Sequence, residues 1–600
     1  MILLNDSQVS AKLDFIQDYI NASNAADGAK MDANANVSVK NIATLESELM
    51  KDFFVQINRA QVSGKIADLY GEELAQEYQR QIESHEIYVH DETSLKPYCA
   101  SISLYPFLLD GLTKLGGESK APKHLESFCG SFINLVFAIS AQFAGAIATV
   151  EFLTYFDYFA RKEFGDQYLT THKKAIENHL QHVVYALNQP AAARGYQSVF
   201  WNISLYDRHY FDSLFQDFVF PDFTKPIWSS IEKLQGFFMD WFNEERTKAV
   251  LTFPVVTAAM LTQDGLVKDQ EFAQMCAGQM ARGNAFFVYQ SENADSLASC
   301  CRLRNEITDN TFSYSLGAGG IATGSINVIT MNMNRLVQQG YDLAAQVDKV
   351  QKYQVAYRRL MEEQLSKGLL PVYDAGFINL DKQFLTIGIN GLVEAAEFKG
   401  IKVGNNSEYQ GFVESLLKPI YDANKKAKQE YGYMFNTEFV PAENLGVKNA
   451  KWDRQDGLSV PRDCYNSYFY PVEDESINHL DKFVMHGKDY TAFLDGGSAL
   501  HLNLEQHLTE TNALNLLNVA AKTGCNYFCI NVKITICNEC HHIDKQTHQV
   551  CPECGSTDID YGTRVIGYLK RVSAFSQGRR SEHDRRHYHL ERKNQEEQVV

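Results

Sequence analysis

Four cysteines crowd together near the carboxyl end, as Cys537-Asn-Glu-Cys540, then ten residues, then Cys551-Pro-Glu-Cys554. Two residues between cysteines let a tight turn aim both sulfurs at one ion, and two such turns complete a tetrahedron. Four thiolates leave no position open for water, which predicts a structural zinc site and not a catalytic one. His541, His542 and His548 lie between the pairs, and a complete cysteine set makes them unnecessary as ligands. A zinc ribbon binds nucleic acid or staples a segment that lacks its own core, and its place just before a short C-terminal segment favours the staple. Thirteen residues past Cys554 stands Gly567, in Arg564-Val-Ile-Gly567-Tyr-Leu569. By pattern this is a strand containing a glycine, the usual mark of a bulge or a close backbone approach. A chemical reading is also open. An unpaired electron on an α-carbon is stabilised when the amide nitrogen donates and the carbonyl withdraws in one plane, and glycine flattens most readily. A glycine used in that way must be reached by an activating enzyme, which suits a segment near a chain end.

The chain resembles a known family, the large catalytic subunits of the anaerobic (class III) ribonucleoside-triphosphate reductases, from about Asp32 to His589. The residues that carry the likeness are Ile87-Tyr-Val-His-Asp91, Ser299-Cys-Cys-Arg-Leu303, Pro441-Ala-Glu-Asn444, Asn466-Ser-Tyr468, Asp495-Gly-Gly-Ser-Ala-Leu-His501, the four-cysteine knuckle and the Gly567 motif. Pyruvate formate-lyase-like glycyl radical enzymes share something close to the last motif, but joined to the knuckle it points to the reductases.

The resemblance implies a ten-stranded α/β barrel of two antiparallel five-stranded halves with a central finger loop near 299–304. A helical N-terminal region (1–95) would precede the barrel (96–530), and a zinc ribbon (531–560) and a glycyl radical loop with a tail (561–600) would follow it. It further implies that Gly567 stores a radical and that Cys301 forms the thiyl radical that attacks the ribose. Cys300 is adjacent and easily confused with Cys301. Cys99, in Lys96-Pro-Tyr-Cys99, matches the second, reducing cysteine, and Glu443 is a candidate acid or base near the ribose hydroxyls. Formate-using members carry asparagine where Tyr98 and Ser325 stand here. That departure opens reduction by a small thioredoxin- or glutaredoxin-like protein, with Cys300, Cys525 or Cys529 as second thiol. Ser325 is therefore a substrate-side position, and the backbone N–H groups of Gly496 and Gly497 are candidates for the substrate phosphates. The implied partners are an iron–sulfur activating enzyme using S-adenosylmethionine, ribonucleoside triphosphates, dNTP or ATP effectors and a second copy of the chain. With the knuckle committed to zinc, no iron–sulfur cluster is expected here. The family's frequent N-terminal ATP-binding domain has no counterpart in the first 30 residues, so overall on/off control by ATP and dATP is expected to be lost. Gly317-Ala-Gly-Gly-Ile-Ala-Thr-Gly324 superficially suggests a dinucleotide loop, but no clean strand precedes it, and a part of the finger-loop region is the better reading.

The elements that must position these groups are partly visible in the 600 residues. Leu45, Leu49, Phe53 and Ile57 recur at helical spacing, and helix is predicted through much of 1–190. Asn21 to Gly28 reads as a break. From 196 to 250 the chain is aromatic-rich and reads as core. After 250, short apolar runs alternate with helices, among them 251–256, 325–330, 384–389 and 527–532, which is an α/β pattern. The uncharged run 127–150 is long enough for a membrane span, yet its polar residues favour a buried core helix. The basic excess after Lys570 reads as a solvated face or a docking segment. A net charge of −18 argues against clamping duplex DNA. The cysteine usage and the absence of a secretory pattern point to a reducing cytoplasm. An acyl-lyase-type radical enzyme and a nucleic-acid-binding ribbon protein are the alternatives, disfavoured by the knuckle and by charge and length respectively.

Overall fold

The computed structural model describes residues 4–29, 39–191, 197–294, 296–298, 304–306, 321–440, 444–564 and 567–589. Cys300, Cys301 and Glu443 lie outside the described residues.

Ten strands form the central sheet: β1 (Cys99–Ser101), β2 (Ile147–Ala148), β3 (Trp201–Tyr206), β4 (Val255–Gln263), β5 (Phe287–Ser291), β6 (Thr323–Asn332), β7 (Gln383–Asn390), β8 (Met434–Phe439), β9 (Leu500–Leu504) and β10 (Tyr527–Val532). Neighbours from β1 to β5 are all parallel. In the second half β6, β7 and β8 are parallel, as are β9 and β10. The halves meet antiparallel twice, β1 against β6 and β5 against β10. The remaining seam is a parallel bridge from Glu438 of β8 to Gly497, just ahead of β9, with Phe439 N donating to Gly497 O at 3.1 Å. The sheet thus closes into a ring, β1-β2-β3-β4-β5-β10-β9-β8-β7-β6. Closure removes the unpaired edges an open sheet would expose. Two short strands, Ile87–Val89 on β6 and Leu266–Val267 on β4, extend it. Between β5 and β6 a hairpin pairs Ser296–Ala298 with Arg304–Glu306.

Most of the strands are buried along their whole length, as parallel strands covered by helices must be. Strand structure begins well before residue 250, because β1, β2 and β3 fall in stretches that the sequence pattern assigns to helix and aromatic core. The uncharged run supplies both a buried helix, Leu125–Ser140, and then β2. No helix among the described residues is long and apolar enough to cross a membrane.

The long helix Ile42–Tyr70 buries Val55, Val62 and Ile66, whereas Phe53 and Ile57, on the predicted apolar stripe, stay 42% and 44% exposed. The helix has two apolar faces, and the core takes the one whose heptad continues through Val62 and Ile66. Asn21–Gly28 is less of a break than it reads, since helix Asp6–Asn21 is followed at once by a helical turn at Ala25–Gly28.

After β10 come β11 (Ile534–Cys537), β12 (Ile543–Asp544), β13 (Ile559–Arg564) and β14 (Leu569–Arg571), in one four-stranded sheet of order β12-β11-β13-β14. The cysteine knuckle and the Gly567 hairpin are therefore built on the same sheet. The basic segment that follows is not simply a solvated face. Arg579, Arg586 and Glu582 are buried, and Glu582 binds both arginines.

Candidate active site

Gly567 sits in the hairpin where Arg564 of β13 pairs with Leu569 of β14, at φ +88°, a left-handed conformation that glycine adopts without strain. It is buried. The hairpin is pinned to the barrel on two sides. Asn531 of β10 accepts from Thr563 Oγ1 at 3.1 Å and from Arg564 N at 3.2 Å, and is itself tied to Asn503 of β9 at 2.7 Å. Tyr568 packs edge-on against Phe200 just ahead of β3 (5.2 Å between centroids) and at a tilt against Phe253 just ahead of β4 (5.8 Å). Arg564, 2% exposed, lies over the Phe287 ring at the start of β5 and donates Nη1–H to Gly567 O at 2.7 Å. The glycine thus occupies the end of the ring where β3, β4 and β5 begin and β10 finishes.

Cys99 opens β1 directly opposite Ser325 of β6 and is 4% exposed. Its sulfur accepts from Ala146 N at 3.3 Å. Two glycines make room for it: a Cβ on Gly145 would stand 2.6 Å from the Cys99 sulfur, and one on Gly324 would stand 2.1 Å from its carbonyl oxygen. Ser325 Oγ lies 2.9 Å from Thr386 Oγ1, and Thr386 pairs with Asn436 on β8. Asn436 is 1% exposed and neither its oxygen nor its nitrogen has a hydrogen-bond partner. Its neighbour Thr437 takes a bond from Asn424 on the covering helix Ser407–Tyr431, so strand alternation turns Asn436 to the ring interior. Beside this row, His90 Nε2 lies 2.8 Å from Thr330 Oγ1. Sequence reading quoted His90 only inside a motif and missed Asn436 and Gly145, for an isolated asparagine or glycine carries no spacing signal.

Gly496 and Gly497 play a visible part in the seam. Gly496 N donates to Thr437 O at 2.7 Å and Gly497 N to Leu494 O at 3.1 Å. Both amides expected to meet a phosphate are engaged within the protein, and a Cβ on Gly496 would stand 2.5 Å from Thr437 O.

The sulfurs of Cys537, Cys540, Cys551 and Cys554 lie within 4.8 Å of one another, with Cys537–Cys554 and Cys540–Cys551 each at 3.6 Å. Zinc–sulfur bonds of about 2.3 Å set tetrahedral sulfur–sulfur edges of about 3.8 Å, so the four residues fit a closed metal site. Cys540 N donates to Cys537 Sγ at 3.4 Å, which fixes the first turn.

The closed ring, with its C-terminal sheet of glycine hairpin and four cysteines, superposes on solved anaerobic ribonucleotide reductases. A solved anaerobic ribonucleotide reductase superposes with a TM-score of 0.85 at 29% identity, covering 98% of this chain and 93% of its own. A Thermotoga maritima anaerobic ribonucleotide reductase in complex with dATP and CTP gives 0.81 at 28% identity, covering 97% and 100%. Residues 46–589 match the sequence profile of the anaerobic ribonucleoside-triphosphate reductases, and the chain belongs to that family. Relatives in Haemophilus influenzae and Escherichia coli, both anaerobic ribonucleoside-triphosphate reductases, are 26% identical over 218 residues and 25% over 217. Those matches take in 34% of this chain and 30% of either relative's length.

Proposed function

We propose that this chain reduces ribonucleoside triphosphates to 2′-deoxyribonucleoside triphosphates anaerobically, for DNA synthesis and repair, with Gly567 as the stored radical. The observation that carries this reading is Gly567 buried at the ring end, its carbonyl held by Arg564, in a chain of this family. In this scheme Gly567 exchanges a hydrogen atom with Cys301, and the Cys301 thiyl radical takes the hydrogen from the ribose 3′ carbon. The 2′ hydroxyl then leaves as water, two electrons and their protons come from the reductant, and the 3′ hydrogen returns. Cys99, Ser325 and Asn436 line the interior that would hold the ribose, with Glu443 as acid or base. A ring whose strands are buried suits such chemistry, which needs water kept out. The four-cysteine site would hold structural zinc, and an S-adenosylmethionine-dependent iron–sulfur enzyme would generate the radical. The dATP and CTP complex of the Thermotoga protein supports nucleotide effectors and substrates. The same reading takes the chain as a cytoplasmic homodimer.

The reductant is formate or a dithiol protein. Cys529 is a poor direct disulfide partner for Cys99, because β1 and β10 are five strand steps apart in a ring of ten. At strand spacings of about 4.8 Å the ring is about 15 Å across, against the roughly 7 Å limit between bridged α-carbons. Cys525, two residues ahead of β10, meets the same objection.

Anaerobic activation followed by electron paramagnetic resonance tests the proposal. A glycine doublet and CTP reduction, both lost in Gly567→Ala, are expected. Turnover of CTP that survives in Gly567→Ala would overturn it. Comparing formate with a reduced dithiol protein in the same assay decides the electron source.

A further inference from the structure

Arg564 is held from four directions. Its backbone N–H donates to Asn531 Oδ1 at 3.2 Å, and its carbonyl accepts from Arg586 Nη1 at 2.9 Å. Its guanidinium lies over Phe287 at 4.6 Å, and its Nη1 reaches Gly567 O at 2.7 Å. A guanidinium keeps its charge, so this is a charge-assisted hydrogen bond with a fixed direction. Arg564 is 2% exposed and its Nε has no hydrogen-bond partner, so among the described residues the glycine carbonyl is the acceptor its guanidinium meets. Its field also reaches Arg246, whose pKa is pressed down to about 9 by burial and then by Arg564.

We propose that Arg564 is a positioning residue that stabilises the odd electron on Gly567 through its hydrogen bond to the Gly567 carbonyl. The inference rests on the reading of Gly567 as the stored radical. When the Cα–H bond of Gly567 breaks, the hydrogen leaves as one proton and one electron together. It forms a new S–H bond on a thiyl radical, or a C–H bond on the carbon radical of the activating enzyme. The α-carbon left behind flattens, its nitrogen pushes density toward the carbonyl, and negative charge grows on the oxygen that Arg564 faces. A preorganised donor aimed where charge develops favours the radical over the closed-shell glycine.

The test uses the full chain, activated anaerobically, as wild type, Arg564→Met and Arg564→Lys, with zinc content and thermal midpoint confirming folding. Loss of a charged hydrogen bond predicts, for Arg564→Met, a radical yield and an anaerobic lifetime each lower by about tenfold or more, with an altered doublet splitting. Arg564→Lys keeps a cationic donor and should recover most of the loss. A folded Arg564→Met with wild-type yield, lifetime and line shape would overturn the inference. So would equal losses of yield in both variants with lifetime and line shape unchanged, which would mark a role in recognition by the activating enzyme. Should Arg564→Met fail to fold, electron–nuclear double resonance of the wild-type radical made in D2O decides: a coupled exchangeable deuteron beyond the carbonyl is expected, and its absence overturns the inference. A wild type with no doublet at all would instead remove the parent reading of Gly567.

Discussion

Cys99 depends on its neighbours having no side chains. The α-carbon of Gly145 passes so close that one added methyl would press on the sulfur, and the same holds for Gly324 against the Cys99 backbone. Overpacking a tight core costs about 1–3 kcal/mol, and a displacement of about 1 Å at a reacting atom costs on the order of a hundredfold in rate. Gly145→Ala should therefore leave a folded protein that still forms the Gly567 doublet yet reduces CTP on the order of a hundredfold more slowly. Wild-type turnover in a verified Gly145→Ala protein would show that the sulfur does not need its present place. What was readable in the sequence at this scale is the chemistry that announces itself by spacing, the cysteine pairs and the Gly567 motif, because tight turns are local. The glycines around Cys99 and the unpartnered Asn436 are set by strands far apart in sequence, and no window of residues shows them.

The N-terminal helical turn also touches the segment that follows the glycine hairpin. Asn24 Nδ2 donates to Ser573 O at 3.1 Å and to Phe575 O at 2.9 Å, Gln577 N donates to Asp27 Oδ1 at 2.7 Å, and Arg580 pairs with Asp27 at 3.0 Å. More than 540 residues of sequence separate the two partners, so a stretch that reads as a break holds the two ends of the chain together. On the proposed reading Gly567 must become reachable for activation, so contacts that hold its segment down should slow that step while protecting the product. In Asn24→Ala/Asp27→Ala we expect faster amide exchange across 573–580, quicker appearance of the doublet and a shorter radical lifetime in trace oxygen. Unchanged exchange in that segment would exclude such a hold. The strands differ in how far their pattern betrays them. β6, β7 and β10 are long apolar runs and stand out, whereas β2 has only two residues and β1 three, too few for any period to register. Their existence is dictated by the ring they complete.

Among the described residues, the ring closes at β8 and β9 through a parallel bridge and the turn Asp495-Gly-Gly, whose amides are also the candidates for substrate phosphates. Asp495 Oδ1 accepts from Thr437 N at 2.7 Å, Gly496 N donates back to Thr437 O, and Gly497 O accepts from Phe439 N. The two roles separate cleanly in one variant. In Gly496→Val the new side chain meets the Thr437 carbonyl, a backbone atom that cannot swing aside, so β8 and β9 must part. A phosphate cradle would lose nucleotide affinity with little change in stability. A joint loses stability first, by about 1–3 kcal/mol for an overpacked site, and with it the exclusion of water from the interior. We therefore expect Gly496→Val to melt at a lower temperature and to lose its glycine doublet faster, while nucleotide affinity measured well below the melting transition stays within a few fold of wild type. An unchanged melting temperature together with a sharp loss of affinity would return the turn to the substrate and leave the seam to be held by Glu438 and Phe439 alone.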